Sequence, residues 1–331
     1  MRRPRGRWAP SPSGHFHLGS ARTALVAWLS ARHSGGTLVW RLEDLDPPRV
    51  LAGAAAGQME DLLWLGLDWD EGCRPGDEEE GPFAPYAQSR RGDLYKRALR
   101  CLAERGRLFP CRRTRKDLQS LATAPHGGPD GAAYPDRLRP RDLPPDWFDE
   151  PEFLRDAALR FRVDGEEVRF RDLLLGERAE RVDRTVGHFV LQRRDGLFAY
   201  QLAVVVDDLM MEIDEVVRGF DLLASTARQI QLARVLAEEL GGAPPVYGHV
   251  PLVLAADGEK LSKRNEDLTL RSLREAGVDP RAMVGYLAWS LGLLGEPKRC
   301  APAELIEGFA WNRLRREDHV LPEDVKVTLR G

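Results

Sequence analysis

The stretch Gly6–Arg22, GRWAPSPSGHFHLGSAR, constrains the fold more than any other part of the chain. A short apolar lead-in breaks at Pro10 and Pro12, and Ser13 and Gly14 turn the chain. His17-Leu18-Gly19-Ser20 then opens a run with helical periodicity. A strand, a tight turn of small residues and a helix N-terminus make a ready phosphate site. Unpaired backbone N–H groups and the helix dipole both face the anion, and glycine lets a ligand approach the backbone closely. Neither the P-loop lysine pattern nor G-x-G-x-x-G is present, so the two commonest nucleotide signatures are excluded.

The chain continues in the same style. Leu18, Ala21, Leu25, Trp28 and Leu29 share a helix face that stops at Gly35-Gly36. Thr37–Leu42 reads as a buried strand ending in Glu43-Asp44-Leu45-Asp46-Pro47-Pro48. Strand, helix, strand predicts a parallel sheet, and acidic residues at the carboxyl end of such a strand sit where open α/β sheets bind ligands. Ala52–Trp64 reads as a second helix, the acidic Leu67–Pro85 as a surface loop, and Leu94, Ala98, Leu99 and Leu102 mark a third helix. The texture changes over 106–183, with the basic run Arg112–Lys116, a loop-like Ala124–Pro140 and a strand-like Val168–Asp172. Buried-strand texture then resumes in His188–Arg193 and Leu197–Val206, which flank an Arg194-Asp195-Gly196 turn. Ile213–Val217 reads as a strand, Ser225 as the N-cap of a helix whose Ile230, Ala233, Leu236 and Leu240 share a face, and Val250–Leu254 as the last strand. That strand leads into a polar loop, Asp257–Arg264, and a mostly helical remainder to about Arg315.

Composition bounds the function. With 331 residues, 43 % hydrophobic, 31 % charged and a net charge of −3, the chain is a soluble globular protein of about two domains, not a strongly basic nucleic-acid binder. Any nucleic-acid contact is a local basic surface. Arg112–Lys116 and the trio Arg137, Arg139 and Arg141 are the candidates, against the alternative that they are solvated surface charges. Cys73, Cys101, Cys111 and Cys300 form no C-x-x-C pair and no disulfide framework, which predicts a reducing cytoplasm. No apolar run approaches membrane-spanning length, and no signal-peptide core follows the basic N-terminus.

Alone, His17 reads first as a structural helix-start histidine, and Lys260–Arg264 as a solvated loop. Together they form two walls of one site. A phosphate cradle near the N-terminus and a lysine loop after the last strand close on a triphosphate. The ammonium groups of Lys260 and Lys263 then neutralise charge on a leaving pyrophosphate.

These residues carry a resemblance. His17-Leu18-Gly19-Ser20 and Lys260-Leu261-Ser262-Lys263-Arg264 resemble the two signature motifs of class I aminoacyl-tRNA synthetases. Arg7–Gly14, Ala21–Leu25 and Arg41-Leu42-Glu43-Asp44 are similar to the glutamyl-tRNA synthetase group. Tyr200–Asp208, Val217-Arg218-Gly219 and Ser225–Gln229 look closer to its glutamyl-queuosine tRNA(Asp) branch, which resembles the catalytic half without an anticodon-binding part. Only 67 residues follow the lysine loop (331 − 264), too few for a further large domain of that kind.

The resemblance implies an α/β fold: a Rossmann-type nucleotide-binding domain with a parallel sheet, interrupted by an α+β subdomain. Its halves would be 1–105 and 184–255, the insertion 106–183, and the lysine loop with a helical C-terminal segment 256–331. It implies ATP-dependent activation of glutamate to glutamyl-adenylate, with magnesium accompanying the ATP. The glutamyl group then passes to queuosine in the anticodon loop of tRNA(Asp), by a monomer in the cytoplasm. Arg7 and Arg218 would each hold a carboxylate of glutamate, as guanidinium forks do. Glu43 would accept the α-ammonium and Tyr200 would hydrogen-bond the substrate, with Ala9 and Ser11 lining the pocket. His17, Gly19 and Ser20 would meet ATP, and Lys263 the α-phosphate region. Two other readings stand beside this one: a truncated glutamyl-tRNA synthetase charging a tRNA 3′ end, and a catalytically silent tRNA-binding paralogue. The sequence also departs from the group. Of a Cys-x-Cys…Tyr…Cys zinc set, Cys111 and Tyr134 remain, while Arg113 and Leu138 replace the other two, so no zinc is expected. His188 and Asp214 stand where acidic residues and threonine are usual.

Overall fold

Strand Arg5–Trp8 (β1), helix Leu18–His33 (α1) and strand Thr37–Trp40 (β2) form the expected βαβ unit. This computed structural model describes residues 3–76, 78–114, 117, 134–261, 266–325 and 329. β1 and β2 run parallel, with Arg5 opposite Thr37 and Trp8 opposite Trp40. Helix Ala54–Trp64 (α2) precedes two short strands, Glu71–Cys73 (β3) and Glu79–Glu80 (β4), and helix Gly92–Glu104 (α3) follows. Next come strands Leu108–Cys111 (β5), Ala158–Phe161 (β6), Val168–Asp172 (β7), Gly176–Glu180 (β8) and Val190–Gln192 (β9). The second α/β half is helix Tyr200–Met210 (α4), strand Glu215–Gly219 (β10), helix Thr226–Leu240 (α5) and strand Val246–Val250 (β11). Strand Val253–Leu254 (β12), helices Leu270–Glu275 (α6) and Pro280–Ser290 (α7) and strand His319–Val320 (β13) complete it.

The main sheet has eight strands in the order β4-β3-β2-β1-β10-β11-β7-β8. Its centre is parallel, and β4 and β8 are antiparallel edges. β1 has β2 on one side and β10 on the other, so the strand order reverses there. Ligands bind at the carboxyl ends of strands at such a switch point. α1 packs beneath this point with Leu25, Val26 and Leu29 almost fully buried, each such side chain contributing roughly 1.5–3 kcal/mol of burial. Among the described residues no helix is long and apolar enough to cross a membrane.

Several expectations are corrected. Leu197–Val206 is not a strand: Tyr200–Met210 is helix. Its run of buried valines satisfies a buried helix as well as a buried strand, and periodicity does not separate the two. Leu67–Pro85 is not only loop, because β3 pairs with β2. Gly72 sits there with φ of +115°, and a Cβ would lie 1.9 Å from the Trp40 carbonyl oxygen, so the glycine marks a close strand approach and not a flexible link. Ser225 caps nothing with its side chain; its Oγ accepts from Gln201 at 3.1 Å. The last strand divides into β11 and β12. Within 106–183, β7 and β8 join the main sheet. The separate three-stranded sheet is β5-β6-β9 and reaches 192.

Candidate active site

The carboxyl ends of β1, β2, β10 and β11 open into one cleft of about 2130 Å³. Every described residue expected to bind glutamate or ATP lines it: Arg7, Ala9, Ser11, His17, Gly19, Ser20, Glu43, Tyr200, Arg218 and Lys260. Lys263 lies outside the described residues, as do Arg115 and Lys116.

At the phosphate end, His17 is the true N-cap of α1. Its Nδ1 accepts the backbone N–H of Ser20 at 3.2 Å. Burial first, and then the charge of Lys260, lower its pKa, so the ring is neutral and carries its proton on Nε2. A Cβ on Gly19 would lie 2.9 Å from the ring, so only glycine gives the imidazole this place. Lys260 pairs across the cleft mouth with Asp221, just beyond β10.

At the other end of the cleft lies a buried charge cluster. Arg41, fully buried, reaches Asp208 Oδ1 at 2.6 Å, Glu43 Oε1 at 3.2 Å and Asp207 Oδ2 at 3.8 Å. Asp207 also receives Arg91 at 2.6 Å, Gln88 at 2.8 Å and the Tyr95 hydroxyl at 2.9 Å. Arg7 lies 3.5 Å from Asp208 through Nε and donates to the Val217 carbonyl at 3.4 Å. Burial raises the Glu43 pKa, against the pull of Arg41 and Arg7. Arg218 is 4 % exposed and differs from the other arginines. It donates to Gln229 Oε1 at 2.7 Å, Thr226 Oγ1 at 2.9 Å, His249 Nε2 at 3.1 Å and Tyr200 Oη at 3.4 Å. These partners are all neutral. Among the described residues no carboxylate pairs with it, and a buried cation in that state suits an anionic ligand.

Asp207, Asp208, Thr226, Gln229, His249 and Asp172 belong to this apparatus without having been assigned to it from sequence. The helical placement of Asp207-Asp208 was the available signal, hidden by the strand reading of their segment.

A wing of the cleft runs along the small sheet, with Arg113, Arg160, Arg193 and Arg194 on its wall. Of the basic candidates, Arg139 and Arg141 are engaged with Asp136 at 3.1 and 2.6 Å. Arg112 donates to the Glu152 and Arg155 carbonyls. Arg113 alone of those described faces the cleft. Cys111 is buried with Sγ 3.6 Å from Tyr134 Oη, which donates to the Leu138 carbonyl at 3.2 Å. One thiol and one phenol do not make a tetrahedral zinc set, and among the described residues no cluster of three ligands occurs. His188 fills this region, bridging Asp136 at 3.0 Å and the Val163 N–H at 3.1 Å. Asp214 accepts the Arg5 N–H at 2.8 Å and so fastens β1 to β10.

The chain is similar to known proteins. A glutamyl-Q tRNA(Asp) synthetase of Symbiobacterium thermophilum is 45 % identical over 327 residues, covering 98 % of this chain and 98 % of that one. A glutamate–tRNA ligase 2 of Syntrophus aciditrophicus is 38 % identical over 97 % of this chain and 64 % of its own length. The crystal structure of a glutamate tRNA ligase from Elizabethkingia meningosepticum, in complex with its amino acid, matches 98 % of this chain and 68 % of that one, with a TM-score of 0.81 and 28 % identity. From the first strand of the sheet to the tail strand beside β12, residues 4–321 match the catalytic domain of the class I tRNA synthetases (E and Q), and the chain belongs to that family.

Proposed function

We propose that the cleft activates glutamate with ATP and passes the glutamyl group to queuosine in the anticodon loop of tRNA(Asp), as a monomer acting in the cytoplasm. The observation that carries the reading is the buried Arg218, bonded among the described residues only to neutral acceptors, beside Arg7, Glu43 and Tyr200. Glutamate has two carboxylates for Arg7 and Arg218 and an ammonium for Glu43, with Ala9, Ser11 and the Tyr200 hydroxyl around it. The greater likeness to a glutamyl-Q tRNA(Asp) synthetase, 45 % against 38 % for the ligase, supports queuosine as acceptor. The buried free cysteines support a reducing compartment.

In the first step an oxygen of the glutamate α-carboxylate attacks the α-phosphorus of ATP. A new P–O bond forms, the bond to the bridging oxygen breaks, and pyrophosphate leaves. No protein nucleophile takes part, so positioning and charge neutralisation carry the rate. Neutral His17, through Nε2–H, with Gly19 and Ser20, holds the triphosphate. Lys260 and Lys263 neutralise the leaving pyrophosphate, with the magnesium that accompanies ATP. The arginine-lined wing takes the anticodon-loop phosphates.

Two measurements test this. Labelled pyrophosphate should exchange into ATP when glutamate is present, without tRNA; no exchange with or without tRNA would identify a silent paralogue. Labelled glutamate should transfer to queuosine-containing tRNA(Asp) and not to the same tRNA lacking queuosine. Equal labelling of both, or label on the 3′-terminal ribose, overturns the acceptor and favours a truncated glutamyl-tRNA synthetase.

A further inference from the structure

Asp172 and His249 lie outside every motif of the activation reaction, yet both side chains are fully buried and joined to the amino-acid pocket. Asp172 ends β7, and His249 lies in β11. Asp172 Oδ1 accepts the N–H groups of Leu174 at 3.0 Å and Leu175 at 2.9 Å, which fix the carboxylate in the β7–β8 turn. Its Oδ2 stands 2.6 Å from His249 Nδ1. On the other side of the ring, Nε2 is 3.1 Å from Arg218 Nε and 3.2 Å from Thr226 Oγ1.

Donor counting settles the tautomer. Arg218 Nε carries one hydrogen and accepts nothing, so His249 Nε2 is the acceptor. The ring proton is then on Nδ1 and is donated to Asp172. Asp172 orients the ring as carboxylates orient ligating histidines elsewhere. The third member of this chain is a guanidinium, which has no proton to give up, so the array is not the base of a nucleophile triad.

We propose that Asp172 and His249 are positioning residues that aim the Arg218 guanidinium at a substrate carboxylate, making the β7–β8 turn a support of the amino-acid pocket. Three of the four acceptors around Arg218 come from α4 and α5: Tyr200, Thr226 and Gln229. His249 is the acceptor that holds Nε, and so fixes the plane of the fork. With Nε held, the remaining guanidinium hydrogens point in set directions. Without it, the fork rotates about its last torsion and meets a carboxylate poorly.

The proposal rests on the reading of the cleft as a glutamate site, and one set of variants separates the two. Asp172→Asn is isosteric, but its amide donates to His249 Nδ1. The ring proton then moves to Nε2 and faces Arg218. In glutamate-dependent pyrophosphate exchange, Asp172→Asn should raise KM for glutamate about 10- to 100-fold, the size of one lost hydrogen bond to a charged group. KM for ATP should stay within about threefold. His249→Leu should do the same. His249→Gln, whose Oε1 reaches the place of Nε2, should restore most of the affinity.

Nitrogen-15 spectra of the histidine rings give a readout that needs no substrate. His249, assigned by its loss in His249→Gln, should carry its proton on Nδ1 in the unmodified chain and on Nε2 in Asp172→Asn. An unmodified chain without glutamate-dependent exchange overturns the functional reading. An active chain whose Asp172→Asn variant keeps its KM, raises both KM values alike, or leaves the tautomer unchanged overturns the positioning role.

Discussion

Arg41 holds the amino-acid end of the cleft together, although it touches no substrate in the proposed chemistry. It is fully buried among Asp208, Glu43 and Asp207. Those carboxylates hold its pKa above the usual arginine range in spite of burial. Asp207 has Arg91, Gln88 and Tyr95 as further partners, and Asp208 has Arg7. Glu43 accepts its hydrogen bond from Arg41 at 3.2 Å. Removing the guanidinium leaves two or three buried carboxylates under-compensated, which costs about 3–5 kcal/mol for a buried pair that loses one partner. Arg41→Met should therefore lower stability by about that amount in urea denaturation. Its Glu43 should also protonate more readily and hold the α-ammonium poorly. A loss below about 1 kcal/mol would mean that the acids are neutral in the folded chain and that the cluster is not ionic. The sequence shows Arg41 next to Glu43, but not that the pair is buried. Burial follows from α4 packing across it.

At the scale of elements, the small sheet β5-β6-β9 is packed by side chains around Cys111 and Tyr134. Phe109, Cys111 and Tyr134 form their own buried cluster, with Leu138 and Leu143 against it. Arg160 lies over the Tyr134 ring at 4.6 Å, and the His188 ring meets Phe109 at 5.3 Å. His188 also spans Asp136 and the Val163 backbone, so it supplies the cross-link between segments far apart in sequence. The purified chain should carry no stoichiometric zinc by metal analysis, and a strong chelator should leave its melting temperature unchanged. His188→Ala should cost roughly 1–3 kcal/mol, the penalty of leaving buried polar partners unmade. Stoichiometric zinc would mean that ligands beyond Cys111 complete a site. What was legible here and elsewhere follows from physics. β1, α1 and β2 were readable because local periodicity and turn chemistry agree. The place of His17 at the start of α1 was readable for the same reason. α4 was not, because a buried apolar run has no period to display. β3 was not, because three residues beside glycines pair only when β2 is already in place. The grouping of Arg7, Glu43, Tyr200 and Arg218 came from motif resemblance, whereas the His249–Asp172 support comes from strand neighbours that no local pattern encodes.

For the whole molecule, the buried and half-buried histidines set the response to acid. His319 on the tail strand sits 3.1 Å from the Tyr286 hydroxyl and edge-on to Trp289. Burial, then the charges of Arg22 and Arg315, push its pKa down to about 4. His17, His188 and His249 are lowered as well, with burial the first cause in each. Below about pH 6.5 the unfolded chain binds protons at these rings that the folded chain refuses. The unfolded state then holds more protons, so stability rises with pH in this window and is lost as pH falls from about 6.5 toward about 4. Asp61 works in the opposite sense. Burial raises its pKa to about 6, so the folded chain binds that proton first and gains stability as pH falls through the same window. Of the two, the histidines win by number. For His319 alone the full shift corresponds to something on the order of 3 kcal/mol, reduced by whatever water reaches the ring. His319 lies on β13, which pairs with β12, with Val253 opposite His319. Urea midpoints measured at pH 7.5, 6.5, 5.5 and 4.5 should fall steadily below about pH 6.5. His319→Gln, which keeps a partner for Tyr286 and does not titrate, should flatten that fall. A midpoint that is level across the range, or one that His319→Gln leaves as steep as before, would show that the tail strand opens to water before the ring takes its proton.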